Sequence, residues 1–305
     1  MKLSVFEKGW AMRSPEVLVL GEALVDIVET GEGVVEHVGG SPANVAVGVA
    51  RLGARVRLAT RLGRDARGER IAAHVRASGA EVLEGSWTPT PTDTAHARIR
   101  PDGSAEYDFA VAGVVPPVFN TDVALVHTGS IALFLDPGGE TCLSVLEAAR
   151  GRAIVTVDPN IRPALVGARE TALARFARAA AAADLVKLSD EDAAWLWPQS
   201  QPAEVLETVA GLGPRAVVIT RGGDGAIGRS VDGVIVEVSG VAVEVADTIG
   251  AGDSFMASLI ATLVERGVPE DAASLEHAMT VAARAAAITV SRAGENPPTL
   301  AELAA

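Results

Sequence analysis

Aromatic residues make up only 4% of this 305-residue chain, and cysteine occurs once, at Cys142. A core so short of rings must be filled with Ala, Val and Leu. One cysteine permits no intrachain disulfide and no cysteine-based zinc site, which fits a reducing, cytoplasmic setting. No apolar run approaches ~20 residues, so no membrane span is expected. Residues 1–14 carry Lys2 and Lys8 but no apolar signal-peptide segment, and read as an N-terminal extension before the first strand. Basic residues are outnumbered, 26 against 39, and the net charge is −13. That balance argues against nucleic-acid and anionic-membrane partners. Lysine is nearly missing, since Lys187 is the only one after Lys8. No Gly-Lys pair occurs, so the Walker sequence G-x-x-x-x-G-K-[ST] is absent. A nucleotide would have to be held without a P-loop lysine.

Apolar material is plentiful, at 49% against 21% charged, enough for a large buried core. The length suits one large α/β domain or two small ones. Short apolar runs alternate with helical spacings, as expected for a mostly parallel sheet flanked by helices. Strands are expected at 17–20, 56–60, 123–127, 153–157, 185–188 and 215–220. Helices are expected at 42–52, 66–78, 139–149, 168–183 and about 270–290. Two stretches break the alternation. Residues 27–38 read as an exposed hairpin. Residues 94–111 read as a second hairpin turning at Pro101-Asp102-Gly103. Together they suggest a small β-sheet lid over the sheet's C-terminal edge. A lid of this kind can also pair across a homodimer. The expected organisation is one domain over 15–305 with these lid segments inserted.

The richest stretch chemically is Asp247-Thr248-Ile249-Gly250-Ala251-Gly252-Asp253-Ser254-Phe255. Its glycines can turn sharply and expose consecutive N–H groups. Phe255, Leu259, Ile260, Leu263 and Val264 follow at helical spacing up to Gly267, so the turn sits at a helix mouth. Free N–H groups and the helix dipole form an anion site there. A carboxylate beside an anion site suits a proton acceptor in phosphoryl transfer, with Asp253 as base. The competing reading is that Asp253 merely caps the helix.

Other residues carry weaker signals. Asp26 follows the first strand, where open α/β sheets bind ligands, or is a solvated loop acid. Gly39-Gly40-Ser41-Pro42-Ala43-Asn44 opens a helix with room for a close ligand, and Asn44 offers both a donor and an acceptor. Arg162, in Asp158-Pro159-Asn160-Ile161-Arg162-Pro163, suits an oxyanion or is a surface arginine. Ser189-Asp190-Glu191-Asp192 starts a helix, and acids in a first turn are usually caps. Gly223-Asp224-Gly225-Ala226-Ile227-Gly228 spells G-x-G-x-x-G, but strand and hairpin material at 230–236 follows where the dinucleotide fingerprint needs a helix.

Residues 39–53 and 247–255 together resemble the two signatures of the PfkB/ribokinase-like carbohydrate kinases, over nearly the whole chain from Val17 to Pro298. The Ser-Pro-Ala-Asn version, with residues 158–163, is most similar to the fructokinase branch. The resemblance implies a ribokinase-like, Rossmann-like sheet with a β lid, and transfer of the ATP γ-phosphoryl group to a sugar hydroxyl, with Mg²⁺. It implies Asp253 as base and Gly250, Ala251 and Gly252 as the anion hole. It places Asp26, Gly39, Gly40, Asn44 and Arg162 at the sugar. Lys187, Ser189, Thr220, Gly222, Gly223, Gly225 and Ala283 would serve the nucleotide. Asp192 would be linked to Mg²⁺, since the family's N-x-x-E motif stands here as Ser189-x-x-Asp192. Asp247, Ile249, Thr289, Arg292 and Gly294 would surround a monovalent cation such as K⁺, although Pro298 stands where relatives offer a hydroxyl. The lid reads Tyr107-Asp108-Phe109, without the arginine that fructokinase and ketodeoxygluconate kinase relatives carry there. Ketodeoxygluconate, ribose or a nucleoside therefore stay open as acceptors, as does a non-catalytic sensing role.

Overall fold

The computed structural model describes residues 16–31, 33–100, 105–119 and 122–305. The extension at 1–14 and the turn Pro101-Asp102-Gly103 lie outside the described residues. In chain order the first half comprises β1 (Glu16–Leu20), β2 (Leu24–Thr30), β3 (Gly33–Gly39), α1 (Ser41–Arg51), β4 (Arg55–Ala59), β5 (Leu62–Gly63), α2 (Ala66–Ala77), β6 (Glu81–Val82), β7 (Trp87–Thr88), β8 (Thr94–Ile99), β9 (Ala105–Ala110), β10 (Leu125–Gly129), α3 (Ser130–Phe134) and α4 (Gly138–Ala149). The second half comprises β11 (Ile154–Asp158), α5 (Pro163–Val166), α6 (Arg169–Ala182), β12 (Leu185–Ser189), α7 (Asp190–Leu196), α8 (Pro202–Ala210), β13 (Ala216–Thr220), β14 (Ala226–Arg229), β15 (Ile235–Val238), α9 (Ala251–Arg266), α10 (Ala272–Val290) and α11 (Leu300–Ala304).

The main sheet has nine strands in the order β15-β14-β13-β12-β11-β10-β1-β4-β6. It is parallel from β6 to β13, and β14 and β15 close one edge as antiparallel strands. Its central strands are apolar on both sides, as Val17 to Leu20 in β1 are, because helices cover both faces. One face packs on α1, α2, α9 and α10, the other on α3, α4, α6, α7 and α8. Among the largest fully buried side chains a single ring, Phe176, stands among leucines and Ile71. The aliphatic core expected from the composition is what the chain builds.

The lid is a second sheet of four strands, β3-β2-β8-β9. It joins the two expected hairpins through a parallel pairing of β2 with β8, Val25 opposite Thr94. Its first strand starts earlier than the alternation suggests, at Leu24, and Asp26 lies inside β2, opposite His37. The residue is thus a lid-strand carboxylate and not a loop acid. The stretch 230–236 is also redrawn. Its strands are β14 and β15, and residues 230–234 form the turn between them, closed by Ser230 Oγ donating to the Val234 carbonyl. Helices α3, α5, α8 and α11 were not anticipated, being too short for an apolar period to show.

Candidate active site

The parallel strands end along one edge, and a cavity of about 510 Å³ opens there beneath the lid. Open α/β sheets bind ligands at this edge because the strand ends release diverging loops around a crevice. Glu22 enters after β1, Ser130 after β10, Arg162 after β11, Ser189 to Asp192 from the last residue of β12 onward, Thr220 as the last residue of β13 and Gly222 after it. Leu24, Asp26, Ala95 and Phe109 come down from the lid. Two non-glycine residues with positive φ, Ser130 at 54° and Asn160 at 36°, line this edge. Strained backbone of this kind concentrates at functional sites.

The start of α9 forms the floor. Gly250 is its N-cap in the left-handed conformation, φ 76°, and no side chain caps the helix. An added Cβ at Gly250 would run into the Glu295 side chain, so space as well as conformation demands glycine there. The first turn of a helix has N–H groups without intrahelical acceptors. Here Gly250, Ala251 and Gly252 line the cavity, as an anion hole requires. Asp253 is the third helical residue, so the capping alternative fails. Its carboxylate instead crosses to α1, where Ser41 Oγ donates to Oδ1 at 2.6 Å and Asn44 Nδ2 donates to Oδ2 at 2.9 Å. It is 8% exposed and fixed by one donor on each oxygen.

The acceptor half holds the expected Asp26, Gly40, Asn44 and Arg162. Gly40 has φ 104°, and a Cβ there would lie 2.7 Å from the Glu22 carbonyl oxygen. Gly39 ends β3 facing Asp26, outside the cavity lining. Arg162 is steered by its own loop, Nη1 donating to Asn160 Oδ1 at 2.7 Å. Burial raises the Asp26 pKa, against the pull of His37 and Arg162. Burial likewise raises Glu22, whose Oε2 accepts from Ala132 N–H at 2.9 Å. Burial, then Asp253 and Asp26, push Glu295 well above the ordinary carboxylate value.

The residues expected at the nucleotide divide. Lys187, Ser189, Thr220 and Gly222 line the cavity, whereas Gly223, Gly225 and Ala283 do not. Gly225 is glycine because a Cβ would enter the backbone at 238–240. Ala283 is buried in α10 against the core. The G-x-G-x-x-G motif makes a short 3₁₀ turn and then strand β14, which is no dinucleotide-binding geometry.

The expected metal residues are mostly engaged with the protein. Asp192 Oδ1 accepts from Ile161 N–H at 2.6 Å and Oδ2 from Ser189 N–H at 2.9 Å, a capping box that also ties down the Arg162 loop. Among the described residues no group of three or more His, Cys, Asp or Glu side chains is placed to hold a metal. Beside the start of α9, Asp247 accepts from Ile249 N–H at 3.0 Å and from Gly294 N–H at 3.1 Å, joining the two loops. The Thr289 hydroxyl is turned inward to Ser254 Oγ, and its carbonyl accepts from Arg292 N–H.

Sequence reasoning missed Glu22, Ser41, Phe109 and Ser130 as lining residues. Glu22 was within reach, because it lies nearer the end of β1 than Asp26 does. Ser41 stood inside the quoted helix-opening stretch.

A family model described as pfkB family carbohydrate kinase matches residues 14–301. A fructokinase from Rhizobium leguminosarum bv. trifolii is 33% identical over 260 residues, covering 81% of this chain and 79% of that protein. A solved fructokinase from Xylella fastidiosa with bound ATP superposes with a TM-score of 0.81 at 24% identity, covering 96% of this chain and 98% of that one. A double-mutant fructokinase from Vibrio cholerae O395, solved with fructose, ADP and potassium ion, has a TM-score of 0.78 at 26% identity, covering 95% of each chain.

Proposed function

The chain belongs to the pfkB family of carbohydrate kinases, and we propose that it transfers the γ-phosphoryl group of ATP to a hydroxyl of fructose, with Asp253 as the base. The observation that carries the base assignment is the clamp of Ser41 and Asn44 on Asp253, which holds a buried carboxylate beside the anion hole. The choice of acceptor draws on the fructokinase relatives and on charge. Glu22, Asp26 and Asp253 face one arginine in the acceptor half, which favours an uncharged sugar over a sugar acid. Among the described residues Phe109 is the one aromatic side chain lining the cavity, too few to sandwich a nucleoside base.

The phosphoryl group moves through a loose transition state, so positioning and charge stabilisation supply most of the catalysis. Gly250 and Gly252 offer N–H donors where charge develops, while the Ala251 N–H donates to the Thr248 carbonyl at 3.4 Å, and the helix dipole adds to them. Asp253 orients the acceptor hydroxyl and takes its proton. A positioned base is worth ~10²–10⁴-fold. Asp26 and Arg162 hold the sugar from the lid and from the β11 loop. The lid excludes water and limits idle ATP hydrolysis.

Bound Mg²⁺ would neutralise charge on the nucleotide phosphates. The exposed Asp190 and Glu191 at the cavity rim suit it better than Asp192, whose two oxygens already accept backbone N–H groups. Both Asp247 oxygens likewise accept backbone N–H groups, so a monovalent cation would be held there only if the loops at 247–249 and 294 moved apart.

The test is ADP production from ATP over a panel of sugars, sugar acids and nucleosides. Fructose should give the highest kcat/KM, with little ADP formed when no acceptor is present. Preference for a sugar acid or nucleoside would overturn the acceptor, and a large acceptor-independent ATPase would overturn the lid's role.

A further inference from the structure

Helix α1 carries the clamp on Asp253 at one end and a second polar contact at the other. Ser41 and Asn44 in its first turn hold the carboxylate. Arg51 is its last residue, and its guanidinium reaches the loop that follows α10. Nη1 donates to Asn296 Oδ1 at 2.6 Å and to the Pro297 carbonyl at 2.6 Å. The helix has 11 residues, so the two contacts lie about 15 Å apart along one rigid element.

The loop held by Arg51 is wedged between α1 and the mouth of α9. Gly48 lets the two helices pass closely, because a Cβ there would lie 2.7 Å from Ala257 Cβ. Pro297 packs beside the same spot, its Cβ 3.7 Å from that position. On the other side the Glu295 side chain rests against Gly250, leaving no room for a methyl group. Gly294 N–H donates to Asp247, three residues ahead of that glycine. The loop at 294–297 therefore backs the N-cap of α9. Arg292 braces its base, with Nη2 on Glu302 Oε1 at 2.6 Å and Nη1 on the Asn296 carbonyl at 3.5 Å.

The oxygens expected to surround a monovalent cation between these loops are engaged within the protein. Both Asp247 oxygens accept backbone N–H groups. The Thr289 hydroxyl donates to Ser254 Oγ, and the Thr289 carbonyl accepts from Arg292 N–H. We propose that Arg51 is a positioning residue that holds the 294–297 loop against Gly250, and that this tether replaces a bound monovalent cation in joining the two loops. The inference rests on reading the start of α9 as the anion hole of a kinase. Such a site stabilises developing charge only if its donors are fixed beforehand. Arg51 touches no substrate. Through α1 it keeps the wall behind Gly250 in register with Asp253. A guanidinium suits this role, since it stays charged and has several donors in a fixed fork.

The first measurement exchanges potassium for tetramethylammonium at constant ionic strength. The parent's kcat should change by less than about 3-fold. Its melting temperature without substrates should shift by less than about 1 °C, because no cation binds the folded chain selectively. Arg51→Met keeps the apolar stem and removes the donors. It should lower kcat about 10-fold while both KM values stay within about 3-fold, the pattern of contacts that matter only in the transition state. Arg51→Lys restores charge and donors and should recover most of the loss. Asn296→Ala removes one acceptor from the loop side, and adding it to Arg51→Met should cost little more than Arg51→Met alone, since both act through one contact. Rates are taken on whichever panel acceptor the parent uses fastest, so failure on fructose leaves them intact. Turnover of no acceptor would sink the kinase reading, and the melts would still decide between tether and cation. Potassium that raises the parent's kcat more than about 3-fold, or raises its melting temperature where tetramethylammonium does not, overturns the proposal. So does a folded Arg51→Met with kcat within about 3-fold of the parent, or losses that multiply in the double variant.

Discussion

Replacing Asp253 with asparagine separates the chemistry of this site from its architecture. Both carboxylate oxygens accept hydrogen bonds, from Ser41 Oγ at 2.6 Å and Asn44 Nδ2 at 2.9 Å. An asparagine can keep both contacts. Its amide oxygen accepts from Asn44, and its amide nitrogen donates to the Ser41 hydroxyl, which turns to accept. The structural cost is then about 1 kcal/mol, the difference between a charged and a neutral hydrogen bond. The chemical cost is the base itself, ~10²–10⁴-fold in kcat, or about 2.7–5.4 kcal/mol of barrier. Asp253→Ala should behave differently, because it strands two donors at about 1–3 kcal/mol each and lowers stability as well as rate. Coupled ADP assays with saturating sugar and ATP, run beside thermal melts, read the two costs separately. An asparagine variant that melts like the parent and keeps most of its kcat would refute the base assignment. One that loses activity only by unfolding would make the carboxylate a structural clamp.

Two further outcomes follow from the polar groups around this centre. His127 is buried beneath the site with Nδ1 3.0 Å from Thr156 Oγ1, and burial, helped by Lys187, pushes its pKa down to about 3. The unfolded chain takes up this proton near pH 6.5, so His127 contributes stability above that pH, and the contribution is lost as pH falls toward 3, by up to about 5 kcal/mol. The denaturation midpoint of His127→Gln should therefore be less acid-sensitive than the parent's across that window, and parallel curves would contradict the linkage. Asp192→Asn loses one of the two backbone bonds that tie Ile161 and Ser189, at about 1–3 kcal/mol. It should lower the melting temperature and raise the sugar KM through the loosened Arg162 loop. A raised Mg²⁺ requirement with unchanged sugar KM would instead make Asp192 a metal carboxylate.

The relation of sequence to structure differs from residue to residue here. The helix mouth at Gly250 was legible because turn chemistry and helical spacing are local, and both survive in the folded protein. The lid was legible as two hairpins, since period-2 patterns and turn residues mark them. The parallel seam of β2 with β8 was not, because pairing between distant strands leaves no trace in either. Asp26 was placed one element too early for a similar reason. The step from β1 into β2 takes three residues, too few for a boundary to show.

The sequence by itself determined the alternating α/β order, the aliphatic core and the glycine-capped mouth of α9. Each depends on neighbours a few residues apart. The tertiary structure alone decided which polar groups meet. Ser41 and Asn44 reach Asp253 across more than 200 residues of chain because α1 and α9 pack side by side on one face of the sheet. Lys187 finds Asp158 because β12 lies next to β11 and both side chains emerge on that same face. The chemistry of a buried carboxylate or ammonium is set by these partners, and strand order, which no local pattern encodes, brings them together.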